Sequence, residues 1–422
     1  MKAEESGELM GRDPTLDPAD KFRSTAEHRP GKPGCPQVAG WLDGSMTLTE
    51  APLPFPDCVP TLTDVERTVT LRAHGAGDLD ALVEQCNDPA TRLWTTVPIS
   101  EGGYTRADAE GFALRFVPQA WAAGRTRLWA IEAEIDSRRR FCGSIDLRLR
   151  DNAEAEVGFG LHPAARGRSV MSTALRIVVK HGFDDLGLQV IRWRARVGNW
   201  PSRRVAAAAG FRFDGMVRGL LVHRGQRFDG WVATITSADT RAALPWLDPP
   251  VLRTTGLILR PFSDADVPRI VAATTDPRTQ HWLVSLPDPY RVSDARAYVE
   301  ATRELAARDR GLVWCVSDAT SDLCIGAVSV EGFGGYARRR EIGYWAHPAA
   351  RGRGVMTTAV GAVTRYVEDN DLADSLLIRC AVGNAASRHV AEAAGYSQIG
   401  IQPRCEPLRD GSMSDLVLYS RP

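Results

Sequence analysis

Two short stretches of this chain concentrate glycine and arginine in a pattern that suits an anion. They are Arg166, Gly167, Arg168, Ser169 and Val170, and Arg351, Gly352, Arg353, Gly354 and Val355. Each follows a run that reads as a strand and opens a run with helical periodicity. That order leaves backbone N–H groups without partners at a helix start, where the helix dipole also favours negative charge. The arginines add charge-assisted donors. The chemistry indicated is capture of a phosphorylated ligand. A single copy would read equally as a tight turn with solvated arginines, but two copies of nearly the same residues favour binding.

The elements that must hold these turns also come in duplicate. Glu156 to Phe211 aligns with Glu341 to Tyr396 at a constant offset of 185 without gaps. HPAARGRSVMSTA at His162–Ala174 faces HPAARGRGVMTTA at His347–Ala359, and VGNWPSRRVAAAAGF at Val197–Phe211 faces VGNAASRHVAEAAGY at Val382–Tyr396. Weaker matches extend upstream: Trp94 with Trp282, Tyr104 with Tyr290, Asp108 with Asp294. A repeat of this length is one domain copied. We expect domains at 61–236 and 255–422 joined by a short linker at 237–254, with a Pro-rich extended arm over 1–60 that holds nine of the 26 prolines. Each repeat alternates strands and helices, so the class is α/β, or α+β with a mixed sheet.

Composition narrows the function. The 422 residues carry 52 basic and 52 acidic side chains, which argues against a nucleic-acid partner, since affinity for phosphate backbones comes from clustered Lys and Arg. No uncharged apolar run is long enough to span a bilayer, and the N-terminal stretch has no apolar signal-like core, so a cytoplasmic protein without a membrane partner is expected. The eight cysteines form no C-x-x-C pair and no zinc-like spacing with histidine, so no metal is expected. P-loop, nucleophile-elbow and zincin motifs are missing.

The joint pattern of R-G-x-G at Arg351–Gly354, opening a helix after a strand, and V-G-N-x-x-S from Val382 to Ser387 resembles the GNAT superfamily of acyl-CoA-dependent N-acetyltransferases. The L-x-L-R-P-like opening, the D-P before Trp282 and the closing D-x-x-x-Y at Asp415 and Tyr419 are similar to its RimJ/RimL branch. The resemblance covers both repeats and not the first sixty residues. It implies two tandem domains, each a mostly antiparallel twisted sheet flanked by helices, using acetyl-CoA to acetylate a primary amine on a protein N-terminus or a small molecule. It implies pyrophosphate contacts from Arg351, Gly352, Arg353, Gly354, Val355 and Met356, and in the first repeat from Arg166, Gly167, Arg168, Ser169 and Val170. Pantetheine would lie in a split between the strand ending near Ala346 and that ending near Val382, held by Asn384, or by Asn199 in the first repeat. Glu341 becomes a candidate base, Ser387 a donor to the departing thiolate, and Tyr419 and Asp415 candidates for orienting substrate. Trp282, Tyr290 and Trp345 are candidates for an acceptor pocket.

Read as residues alone, several of these positions have plainer roles: Asn384 as a helix cap, Glu341 as a strand-end carboxylate, the aromatics as core. His347 and His162 read as turn residues. The first repeat departs from the pattern. Ser169 stands where the second has Gly354, and its Cβ is expected to oppose a positive φ; Ala233 stands for Tyr419; Trp200 and Pro201 follow Asn199. We therefore expect the second domain to catalyse. A non-catalytic acyl-CoA sensor or scaffold is the alternative. A fused pair also points to a monomer with an internal pseudo-dimer, or to a homodimer.

Overall fold

The computed structural model describes residues 59–334 and 338–421; nearly all of the expected arm lies outside them. Two eight-stranded sheets carry the chain. The first is built from β1 (Leu62–Thr63), β2 (Val69–Arg72), β3 (Thr126–Ile135), β4 (Arg138–Leu149), β5 (Glu154–Leu161), β6 (Val190–Arg196), β7 (Arg212–His223) and β8 (Gln226–Thr236), in the spatial order β1-β2-β3-β4-β5-β6-β8-β7. The second repeats that order with β9 (Leu252–Thr254), β10 (Leu257–Arg260), β11 (Gly311–Asp318), β12 (Cys324–Glu331), β13 (Arg339–Ala346), β14 (Ser375–Ala381), β15 (Ser397–Pro407) and β16 (Met413–Arg421). β9 falls inside the stretch expected as linker. Every pairing between these strands is antiparallel except β5 with β6 and β13 with β14.

Helices cover both faces. The first repeat has α1 (Leu79–Asn87), α2 (Pro89–Trp94), α3 (Arg106–Glu110) running through a π-helical stretch (Gly111–Phe116) into α4 (Val117–Ala122), then α5 (Val170–Asp184) and α6 (Trp200–Ala208). The second has α7 (Val267–Thr274), α8 (Pro277–Trp282), α9 (Val292–Ala307), α10 (Val355–Asp369) and α11 (Ala385–Ala393). α10 forms because Val355, Met356, Ala359, Val360, Val363 and Val367 recur at helical spacing and bury one stripe against the sheet. From Ser375 to Cys380 in β14 the buried Leu376, Ile378 and Cys380 alternate with less buried residues, the pattern of a strand with one packed face. β11 is buried along seven of its eight residues because helices lie on both sides of it.

The parallel pair shapes the site. β13 pairs with β14 only at Arg339–Ser375, Arg340–Leu376 and Glu341–Leu377. Beyond Glu341 the two strands part, while β13 stays bonded to β12 as far as Ala346. β5 and β6 part in the same way after Val157–Trp193.

Candidate active site in the strand split

The Gly/Arg turn leaves β13 at the open end of the split. His347 starts a short 3-10 turn (Pro348–Ala350) by accepting the Ala349 N–H on Nδ1 at 3.2 Å. Gly352 and Gly354 then take φ of 69° and 70°, the left-handed region that glycine enters without strain. Gly354 is the N-cap of α10 and no side chain caps the helix. The first ladder bond runs from Thr358 N–H to the Gly354 carbonyl, so the amides of Val355, Met356 and Thr357 precede it. A Cβ added at Gly352 or Gly354 would meet nothing within 4 Å, so the cradle is open. These features fit a pyrophosphate.

The first repeat builds the same cradle with Ser169 at φ 56° and ψ 7°. The expectation that serine would exclude this geometry is corrected. Ser169 is exposed, and the left-handed conformation costs a non-glycine residue about 1–2 kcal/mol.

Arg351, expected to face phosphate, is instead turned toward α8. Its guanidinium donates to Asp276 at 2.6 Å and to Thr279 Oγ1 at 2.7 Å. Asp276 is the N-cap of α8, and the Arg351 bond holds its carboxyl below the usual range. Arg166 makes the same clamp onto Asp88 and Thr91 at the start of α2. These arginines fix the turn and leave amides for an anion. Arg353 is exposed, and Arg168 forms an exposed ion pair with Asp136 at 3.0 Å. The side chains of Met356 and Val355 are buried beneath α10, leaving only their amides at the turn.

Across the split, Asn384 caps α11 by accepting the Ser387 N–H at 3.2 Å. Ser387 Oγ lies 3.0 Å from the hydroxyl of Tyr344, which also lies 2.9 Å from the Ser387 carbonyl oxygen. Burial raises the Tyr344 phenol above its ordinary value, so it stays protonated. Tyr344 sits on the part of β13 beyond its last bond to β14, and sequence reasoning missed it. In the first repeat its counterpart is Phe159, and Ser202 instead accepts the indole N–H of Trp193 at 3.1 Å. The donor chain of two hydroxyls therefore belongs to the second repeat.

The other expected residues take various places. Glu341 stands at the last bonded pair of the split and is ion-paired with Arg379 at 2.8 Å, with 40% of its side chain exposed. Trp282 lies over Gly383, at the turn before Asn384. Trp345 donates its indole N–H to Tyr298 at 3.3 Å and packs with Phe262. Tyr290 is 7% exposed inside that cluster. Tyr419 is fully buried, donating to Glu392 at 2.7 Å and accepting from Arg388 at 3.2 Å. It ties β16 to α11. Asp415 accepts the Arg404 N–H at 2.8 Å and shapes the last hairpin. Asn199 caps α6 as Asn384 caps α11. Among the described residues, the cluster with metal-like spacing is Asp266, Cys315 and Cys324, but Asp266 is already bound by Arg260 at 2.9 Å from two nitrogens.

A doubled strand–cradle–helix unit beside a parted parallel pair is what the family comparison meets. The acetyltransferase (GNAT) domain model matches residues 68–212 and again 256–397. The chain belongs to the GNAT acetyltransferase family. It carries two copies of the domain. YdaF of Bacillus subtilis, whose name places it among ribosomal N-acetyltransferases, is 27% identical over 167 residues, 39% of this chain and 89% of the relative. A ribosomal-protein-serine acetyltransferase of Escherichia coli is 29% identical over 100 residues, 24% of this chain and 55% of the relative. Among solved structures, a RimL ribosomal L7/L12 α-N-protein acetyltransferase with coenzyme A is 22% identical, covers 41% of this chain and 97% of its own, and gives a TM-score of 0.38. Among the described residues of this GNAT chain, no helix is long and apolar enough to cross a membrane.

Proposed function

We propose that the second GNAT domain transfers an acetyl group from acetyl-CoA to a primary amine, on a protein N-terminus or a small molecule. The observation that carries this reading is the uncapped start of α10, with its left-handed Gly354, at the open end of the β13–β14 split. The names of the relatives favour a ribosomal protein as acceptor. When bound, acetyl-CoA supplies the activated acyl thioester.

The chain's own residues divide the remaining work. The amides from Gly352 to Thr357 hold the pyrophosphate by hydrogen bonds and dipole, and Arg351 keeps their turn in place through Asp276. The unpaired edge of β13 between Ile342 and Ala346 offers N–H groups that can polarise a thioester carbonyl. Ser387 is the proton donor to the departing thiolate, with Tyr344 as its partner. Glu341 takes the proton of the acceptor ammonium through water, because Arg379 occupies its direct reach. A sensor without catalysis would not need the Ser387–Tyr344 pair, and no observation favours that reading.

The test is acetyl-CoA binding by calorimetry with Gly354→Asp. An acid there puts a charge in the cradle and a side chain at a positive φ, so affinity at the second domain should fall at least a hundredfold. Undiminished affinity would show that the cradle is wrongly placed.

A further inference from the structure

The last strands of the two sheets differ in what they place against the following helix. In the second domain Tyr419 of β16 is fully buried, giving its hydroxyl proton to Glu392 of α11 and accepting the Arg388 Nε–H at 3.2 Å. The matching positions in the first domain follow from strand register and from the offset of 185. Ala233 faces Trp193 across β8 and β6 as Tyr419 faces Ile378 across β16 and β14. On α6, Arg203 and Ala207 stand for Arg388 and Glu392. The first domain therefore keeps the arginine, but has an alanine methyl in place of the phenol and another in place of the carboxylate.

Space takes the place of both groups. Ala207 and Ala233 line a cavity of about 440 Å³, a volume in the range of small-molecule sites. Phe211, Phe213 and, from the linker, Trp246 give it aromatic walls. Arg203 lines it too and is 4% exposed. Both of its terminal nitrogens are bound to Glu304 of α9. Among the described residues nothing accepts its Nε–H, the group that Arg388 gives to Tyr419. Buried polar groups rarely stay unpaired. Arg310 lines the same cavity from the second domain; it is exposed, and its guanidinium makes no hydrogen bond or ion pair among the described residues. Asp309 is the acid on the wall, and Arg340 attracts it from nearby.

We propose that this cavity binds a small phenolic carboxylate at the join of the two domains. The ligand's ring takes the volume that the Tyr419 ring fills in the second domain, against Ala207 and Ala233 and among the aromatic walls. Its hydroxyl oxygen accepts the Arg203 Nε–H. Glu304 already neutralises Arg203, so a neutral oxygen suits that arginine better than a second anion. Arg310 carries a charge without a counter-ion, so the carboxylate goes there as a charge-assisted pair. Arg308, whose Nε is given to Glu304, adds positive charge to the same wall. The cavity shares no residue with either Gly/Arg cradle, and the site does not rest on the proposed acetyl transfer. Because Arg203 belongs to the first domain and Arg310 to the second, the ligand also ties the domains together.

The test titrates 3-(4-hydroxyphenyl)propionate into the full chain by calorimetry, without acetyl-CoA. One site is expected. 3-Phenylpropionate, which lacks the hydroxyl, should bind about fivefold to tenfold more weakly, since the Arg203 Nε–H is then left unpaired. The uncharged 3-(4-hydroxyphenyl)propionamide should lose about tenfold. Ala233→Tyr, which puts the residue of the second domain into the space, should weaken the acid at least tenfold. Arg310→Ala changes an exposed side chain and so leaves the fold intact; it should erase the preference for acid over amide, and it carries the test alone should Ala233→Tyr fail to fold. Saturating acetyl-CoA should leave the affinity within about twofold. No binding, binding indifferent to the variants, or displacement of the acid by acetyl-CoA overturns the site.

Discussion

Tyr344 and Ser387 show how one proton can be shared by three oxygens. The phenol can donate to the Ser387 carbonyl or to Ser387 Oγ, at 2.9 and 3.0 Å. In the first case the serine proton points at the phenol; in the second it is free to point into the split. If Tyr344 acts through Ser387, then Tyr344→Phe should lower kcat about tenfold, a typical share of one positioned hydrogen bond in proton transfer, while KM for acetyl-CoA stays within about twofold. Ser387→Ala should cost more, and the double variant no more than Ser387→Ala, because groups acting in series are not additive. Steady-state thiol release for the three variants decides it; additive losses would separate the two hydroxyls. Nothing in E-I-G-Y-W-A marks Tyr344 beforehand, since a strand reads only as alternation and its partner lies 43 residues later.

The turn and its helix were legible because hydrophobic period switches from two to about 3.6 across a stretch dense in glycine, and because the stretch occurs twice. The direction of the arginines was not, since Asp276 precedes Arg351 by 75 residues. A signal was available: Asp88–Pro89–Ala90–Thr91 and Asp276–Pro277–Arg278–Thr279 share the cap pattern D-P-x-T at both clamps. The π-helical stretch between α3 and α4 left no mark in the sequence that we can name. At this scale the clamp predicts that Asp276→Asn loosens the cradle. Stability should fall by about 1 kcal/mol or less, as for a partly exposed pair, whereas acetyl-CoA affinity falls about threefold to tenfold. Because the Arg351 bond depresses Asp276, the folded-state carboxyl is charged at every pH above its unfolded value, and its contribution is lost only as pH falls through the lowered one. Affinity in the unaltered chain should therefore be flat between about pH 6 and 8 in this respect; calorimetry at both ends checks it.

The two domains meet through unlike surfaces. Trp200 at the start of α6 donates its indole N–H to Glu300 at 2.8 Å, and Arg203 binds Glu304 at 2.5 and 3.1 Å, both acids being on α9. Arg203 is 4% exposed, its guanidinium 3.7 Å from the Phe213 ring centroid and 4.9 Å from that of Trp231. The linker adds bonds from Leu244 N–H to the end of α6 and from Leu247 N–H to the end of α9. Burial alone would raise Glu304, but bonds from Arg203 and Arg308 outweigh it and hold the carboxyl below its usual range. This stability is present above the unfolded pKa and lost as pH falls through the folded one. Glu304→Ala leaves Arg203 buried without its partner and should cost about 2–4 kcal/mol. Calorimetric melting should then resolve two transitions; a single unshifted peak would mean the contact is decorative.

The contact has a further meaning as a matter of symmetry. Since α6 of one copy meets α9 of the other, the join is head-to-tail, a kind that in principle repeats without end. Among the described residues, no hydrogen bond or ion pair links α11 to the first domain, so the copy of α6 in the second domain remains unmated. Its position matching Trp200 is Ala385, and its Arg388 is engaged by Tyr419. At the other end, the positions matching Glu300 and Glu304 by the offset of Tyr104 and Tyr290 are Leu114 and Pro118. Each end has lost the group the next copy would need. Neither outer end therefore carries the indole–carboxylate and guanidinium–carboxylate pairs that join the two copies.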